Sequence, residues 1–272
     1  MEHAKALAHG SVYNMMRDSI SENPDRHEWP IQIYALGHFE VMKNGAPPFL
    51  GGRSQRKPMG LLKATIAFGG TEVSSQELIG VLWPEAEGDA ARNAFDVALF
   101  RLRKLMKRND AVILREGRLS LNTRISWVDA WEFERLLRRL ETAVRDSGQE
   151  IEPLVERMLK LYRGPLFGTE SEPWMLSCRE RLRIKFQRHS TMAGQWLERA
   201  NRFDKAGEIY QRALELDPLA EEFYYGLMVC RKQSGRNAEA LDVYRRCREI
   251  LSITLGVQPS AGTQAVYRSL CL

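Results

Sequence analysis

Residues 91–107, ARNAFDVALFRLRKLMK, collect the side chains best suited to hold a polyanion. At 100° per residue, Phe95, Leu99, Leu102 and Met106 fall on one stripe, with Ala91, Ala94, Ala98 and Leu105 beside it. The opposite arc carries Arg92, Asn93, Asp96, Phe100, Arg103, Lys104 and Lys107. Such an arc makes no bonds; it recognises. Guanidinium and carboxamide groups pair with base edges, and ammonium groups with phosphates. The competing explanation is an ordinary amphipathic helix with a solvated charged face. Groups for bond-making chemistry are scattered. His3, His9, His27, His38 and His189 form no i, i+4 pair and accompany no Ser or Cys nucleophile motif. Cys178, Cys230, Cys247 and Cys271 show no C-x-x-C spacing and are expected as buried free thiols of a reducing cytoplasm. No enzyme, metal site or cofactor is expected.

The flanking segments decide how the arc is presented. Ahead of it lies SSQELIGVLW (74–83), a short helical pattern in which Ser74 and Glu77 have capping-box spacing. Behind it lies AVILREGRLSLNT (111–123), two apolar runs about Glu116-Gly117 with Arg115 and Arg118 at the tip. Helix, helix and basic hairpin in that order predict a winged helix-turn-helix, whose second helix enters the major groove while the wing touches the backbone.

Charge agrees with this placement. Residues 31–128 hold 14 Lys/Arg against nine Asp/Glu, so the net +5 of the chain resides there. The 272 residues suit about two domains. No apolar run reaches the ~20 residues of a membrane helix, and no signal-peptide core opens the chain. A cytoplasmic protein without a membrane partner is expected. Residues 1–30 read as a mobile leader. Residues 31–50 predict a small antiparallel sheet turning at Asn44-Gly45, with Pro47 and Pro48 confining the last strand to an edge. Next, GGRSQRKPMG opens a helix with Arg53, Arg56 and Lys57 at its entrance. It lacks the phosphate-loop pattern of nucleotide hydrolases, and its cations suit a nucleic-acid phosphate or a solvated cap.

After Ser126 the pattern is wholly helical. Gly164-Pro165 is a firm break, and Pro173 suits the first turn of a long helix through Trp174, Leu182, Phe186 and Trp196. Ala206, Tyr210 and Ala213 recur 34 residues later as Ala240, Tyr244 and Cys247. With Gly194 before and Pro218 after, that is the tetratricopeptide pattern. Two such units cannot bury a core alone, so the helices of 131–200 must complete the stack and 260–270 must cap it.

The string from about Leu36 to Glu134, with V-S-x-x-E-L-I-x-x-L-W at 73–83 and A-R-N-A…R-L-R-K at 91–104, resembles the OmpR-type winged helix of SARP-class bacterial transcriptional activators. Residues 129–272, and above all L-G-V-Q-P-S at 255–260, resemble the bacterial transcriptional activation domain. The resemblance implies a mainly α protein of two domains. The first is a winged helix with small antiparallel sheets over 31–128, and the second an all-α helical-repeat domain over 129–272. It further implies a regulator of transcription that binds promoter DNA as two copies on repeated half-sites. Arg92, Asn93, Asp96, Phe100 and Arg103 would face bases. Arg53, Arg56, Lys57, Ser74, Lys104, Lys107, Arg115 and Arg118 would grip phosphates. The loop WPEAEGD (83–89) matches the family's RNA polymerase contact, although a plain connector is equally consistent. Ala98 and Phe100 depart from the polar or basic residues usual there. Phe100 therefore either meets a thymine methyl or docks on protein, and the second option defines the alternative function, an interaction adaptor with a degenerate winged helix.

Overall fold

The computed structural model describes residues 29–46, 55–146 and 150–271. Nearly all of the expected leader, the Pro47-Pro48 strand and Arg53 lie outside the described residues. In chain order the amino-terminal elements are β1 (Ile31–Tyr34), β2 (Glu40–Lys43), α1 (Arg56–Ala67), β3 (Val73–Ser74), α2 (Ser75–Leu82), α3 (Gly88–Met106), β4 (Val112–Arg115), β5 (Arg118–Leu121) and β6 (Ser126–Val128). Helices follow: α4 (Asp129–Arg145), α5 (Ile151–Leu161), α6 (Pro173–Arg199), α7 (Phe203–Leu216), α8 (Glu221–Gln233), α9 (Asn237–Leu255) and α10 (Ala261–Arg268).

The first sheet has the order β2-β1-β6. Asn44 and Gly45 turn the chain at φ 47° and 77°, as the Asn-Gly signal predicts. The third strand corrects the expectation of purely antiparallel sheets: β6 lies parallel to β1, with Ile31 opposite Ser126. All four residues of β1 are buried, as suits a strand covered on both faces. The second sheet, β3-β5-β4, is the wing and its docking strand. Between the sheets, α1 contributes Leu61, Leu62 and Ile66 and α3 contributes Phe95, Leu99 and Leu102 to one core.

That core runs on into the helical half without interruption. The chain crosses at Asp129, the first residue of α4, whose buried carboxylate accepts the backbone N–H groups of Ala35 at 2.7 Å and Leu36 at 3.0 Å. Arg163 reaches the same carboxylate at 3.3 Å. Burial pushes the Asp129 carboxyl up to about 6, against the pull of both N–H donors and the guanidinium. Around it, Phe167 N donates to Ala35 O and Gly37 N to Pro165 O. Gly37, at φ 88°, lies so close to the Arg163 carbonyl that a Cβ would come within 2.6 Å of its oxygen. Phe68 stacks on Trp174, and Lys63 pairs with Glu170.

The repeats form as their small residues require. Tyr210 of α7 fills the space between α6 and α8. A Cβ on Gly194 or Gly226 would come within 2.3 or 2.4 Å of its ring, and its hydroxyl donates to Glu198 at 2.7 Å. Tyr244 of the second unit stacks on Tyr267 of α10, with ring centroids 4.1 Å apart. Glu221 of α8 receives Ser260 N and the Thr263 hydroxyl, which fixes the capping helix. Cys178, Cys230 and Cys247 are buried as expected, and burial pushes the last two thiols up to about 12. Cys271 corrects the expectation; it is exposed at the end of the last helix.

Removing the junction carboxylate leaves Arg163 and two N–H donors unsatisfied, so Asp129→Ala is expected to cost about 3–5 kcal/mol in urea unfolding. The raised carboxyl favours the protonated folded state. Its contribution is therefore complete below about pH 4 and lost as pH rises through about 6. The stability of the native chain minus that of Asp129→Asn is expected to fall by about 3 kcal/mol across this window. A flat or rising difference would contradict the assignment.

Candidate nucleic-acid interface

The rotational setting of α3 is fixed from inside, where Ala91, Phe95, Ala98, Leu99, Leu102 and Met106 are buried. Asp89 in its first turn and Arg103 and Lys104 in its last complement the helix dipole. Lys107 ends it in the left-handed region at φ 49°. With Asn93 taken as zero, Phe100, Lys104, Val97 and Lys107 lie within about 40° on the exposed surface. Arg101 lies about 80° to one side. Asp96, Arg103 and Arg92 lie about 60°, 80° and 100° to the other. Phe100 is 67% and Val97 48% exposed, so the centre of the arc is apolar and flanked by cations. Val97 and Arg101 are absent from the sequence-derived site, although 97 is i+4 from Asn93 and so was readable from spacing.

Two of the expected base-facing groups have other attachments. Arg92 pairs with Asp96 at 3.6 Å and lies over the Phe95 ring, its guanidinium 5.9 Å from the centroid. Arg103 donates through Nε to the Val112 carbonyl at 3.0 Å. It is a tether holding the first wing strand beside the arc, and its position is set by the hairpin rather than by the helix.

The wing turns at Glu116 and Gly117, with φ 47° and 73°, and sets Arg115 directly opposite Arg118. Two like charges face each other at its exposed tip, an arrangement that a bound anion relieves. Arg118 also donates to the Glu72 carbonyl at 3.1 Å. Arg108, at the base of the wing, is balanced by Asp110 at 2.8 Å, and this hydrogen bond holds the Asp110 carboxyl below its usual value.

The remaining phosphate candidates divide. Lys104 and Lys107 are exposed beside the arc. Ser74 precedes α2 but makes no side-chain cap; the first amide of the helix, Ser75 N, bonds instead to Gly117 O of the wing turn at 2.8 Å. The wing thus satisfies one free amide of the first turn, a different one from the Glu77 amide that a capping box would serve. Lys57 donates to Leu82 O at 2.5 Å and covers the Trp83 ring at 5.2 Å, so its ammonium closes the carboxyl end of α2. Arg56 is exposed, 3.9 Å from Glu172 at the start of α6. Arg103 ties the arc to the first wing strand; Lys57 serves the fold.

The bacterial transcriptional activator domain family matches residues 128–271, and the chain belongs to it. Joined to the winged helix, this gives the chain a SARP-like arrangement. The regulatory protein AfsR of Streptomyces griseus is 28% identical over 81% of the chain, which spans only 22% of AfsR. The transcriptional regulator RedD of Streptomyces coelicolor is 26% identical over 96% of the chain and 76% of RedD. Mycobacterium tuberculosis EmbR, solved in complex with a low-affinity phosphopeptide, superimposes with a TM-score of 0.67 at 17% identity, covering 89% of this chain and 65% of EmbR. That likeness is one of fold. Among the described residues no helix is long and apolar enough to cross a membrane, and no His/Cys/Asp/Glu group could hold a metal ion.

If Arg103 tethers the wing, Arg103→Ala should speed amide exchange in β4 and β5 by roughly tenfold, for loss of about 1.5 kcal/mol. The β1–β2 amides should be unaffected. Equal rates in both hairpins would show that the tether carries no load.

Proposed function

We propose that this chain is a sequence-specific DNA-binding transcriptional activator. The observation that carries the proposal is the exposed arc of α3, with Asn93, Lys104 and Lys107 along it, tied through Arg103 to a wing whose tip sets Arg115 opposite Arg118. Relatives named as regulators agree with it. In this reading α3 enters the major groove, Asn93 pairs with a base edge, and the wing-tip arginines hold phosphates. One winged helix covers roughly 600–1,000 Å² of DNA-facing surface, a small interface. Two copies on half-sites about one helical turn apart therefore supply the affinity. Glu85 and Glu87 ahead of α3 and Asp89 in its first turn stand exposed and form the surface offered to RNA polymerase. Arg92, Asp96 and Arg103 border the contact rather than lead it.

The exposed Phe100 also favours a second reading, an adaptor that docks protein through the same face. Anisotropy titrations against a duplex selected from a random pool, repeated across salt, separate the two. Arg118→Ala should weaken binding to all sequences alike and flatten the salt slope by about one unit. Asn93→Ala should relax base preference by about 1–3 kcal/mol. Affinity, salt slope and preference that survive both substitutions would overturn these roles. A stoichiometric protein partner with no site-selective footprint would move the account to the adaptor.

A further inference from the structure

The centre of the α3 arc has an unusual chemistry for a surface meeting a polyanion. Phe100 and Val97, three residues apart and hence adjacent on the helix, present bare hydrocarbon there. Asn93 stands one turn before Val97 and two before Phe100. The guanidiniums that would read guanine are off-centre, Arg92 turned onto Asp96 and Arg103 bonded to the wing. Hydrocarbon in the major groove has one natural partner, the 5-methyl group of thymine, and a carboxamide matches the N6 and N7 edge of adenine.

We infer that α3 selects A·T pairs at the middle of each half-site, with Phe100 and Val97 packed on thymine methyl groups and Asn93 on a neighbouring adenine. The inference rests on the DNA-binding reading above and specifies what that site recognises. Charge complementarity supports duplex DNA over protein as the occupant: Lys104 and Lys107 follow the apolar pair along the helix, while the exposed carboxylates of α3 stand on its amino-terminal side, Asp96 held by Arg92 and Asp89 in the first turn. An exposed Phe beside cations loses its hydration favourably against a methyl group, and the lysines supply the backbone grip that a methyl contact lacks.

The test uses the full chain and a duplex selected by it from a random pool. Each thymine of that duplex is replaced in turn by deoxyuridine, which removes the methyl and leaves pairing intact. One or two replacements per half-site should weaken binding about 3- to 10-fold, the worth of burying one methyl. Phe100→Ala should reduce that penalty to under about twofold, and Phe100→Leu should restore it, because position 100 is exposed and neither change disturbs the core. Deoxyuridine tolerated at every position, or a penalty unchanged in Phe100→Ala, would overturn the inference while leaving the DNA-binding reading intact. Failure of any sequence to enrich would overturn both.

Discussion

Everything functional in this structure depends on the rotation of one helix. The inward stripe of α3 buries Phe95, Leu99, Leu102 and Met106 almost completely against α1 and its neighbours. Each such side chain contributes about 1.5–3 kcal/mol relative to exposure, so turning the helix by one residue would exchange most of that for buried charge. The outward arc is thereby set to within a few tens of degrees before any partner arrives. Preorganisation of this kind removes an ordering cost from binding.

The wing and the helical half extend the same rigidity. Arg103 fastens β4 to the edge of α3, and Gly117 O fastens the wing turn to the first amide of α2. Asp129 then joins the first sheet to α4, with Arg163, Gly37 and Phe167 closing the joint around it. Through this joint the winged helix and the helical repeats share one continuous hydrophobic core.

Much of this was legible in the chain itself. Helical periodicity exposed both faces of α3, since 3.6-residue spacing states which side packs. The Glu116-Gly117 and Asn44-Gly45 turns declared their hairpins through positive φ, and the small residues around Tyr210 declared close helix packing. What sequence could not state was the destination of long side chains. Lys57 and Arg103 looked like phosphate and base contacts because their charge is visible locally. Their partners, Leu82 O and Val112 O, are defined only by tertiary placement. The pairing of β6 with β1 was hidden for a related reason: strands some ninety residues apart leave no local trace of their register. Ser74 shows the converse: the signal marks the N-cap correctly, but its hydroxyl makes no cap bond and the wing carbonyl of Gly117 takes the first amide of the helix.

The central proposal is that the exposed arc of α3 meets the major groove. A photoreactive phenylalanine in place of Val97 tests it, with the same group in place of Ile253, 77% exposed on α9, as the control. After irradiation with the selected duplex, the account predicts cross-links from position 97 to bases inside the half-site and none from position 253. Cross-links from position 97 to protein alone, or equal labelling of DNA from both positions, would contradict it.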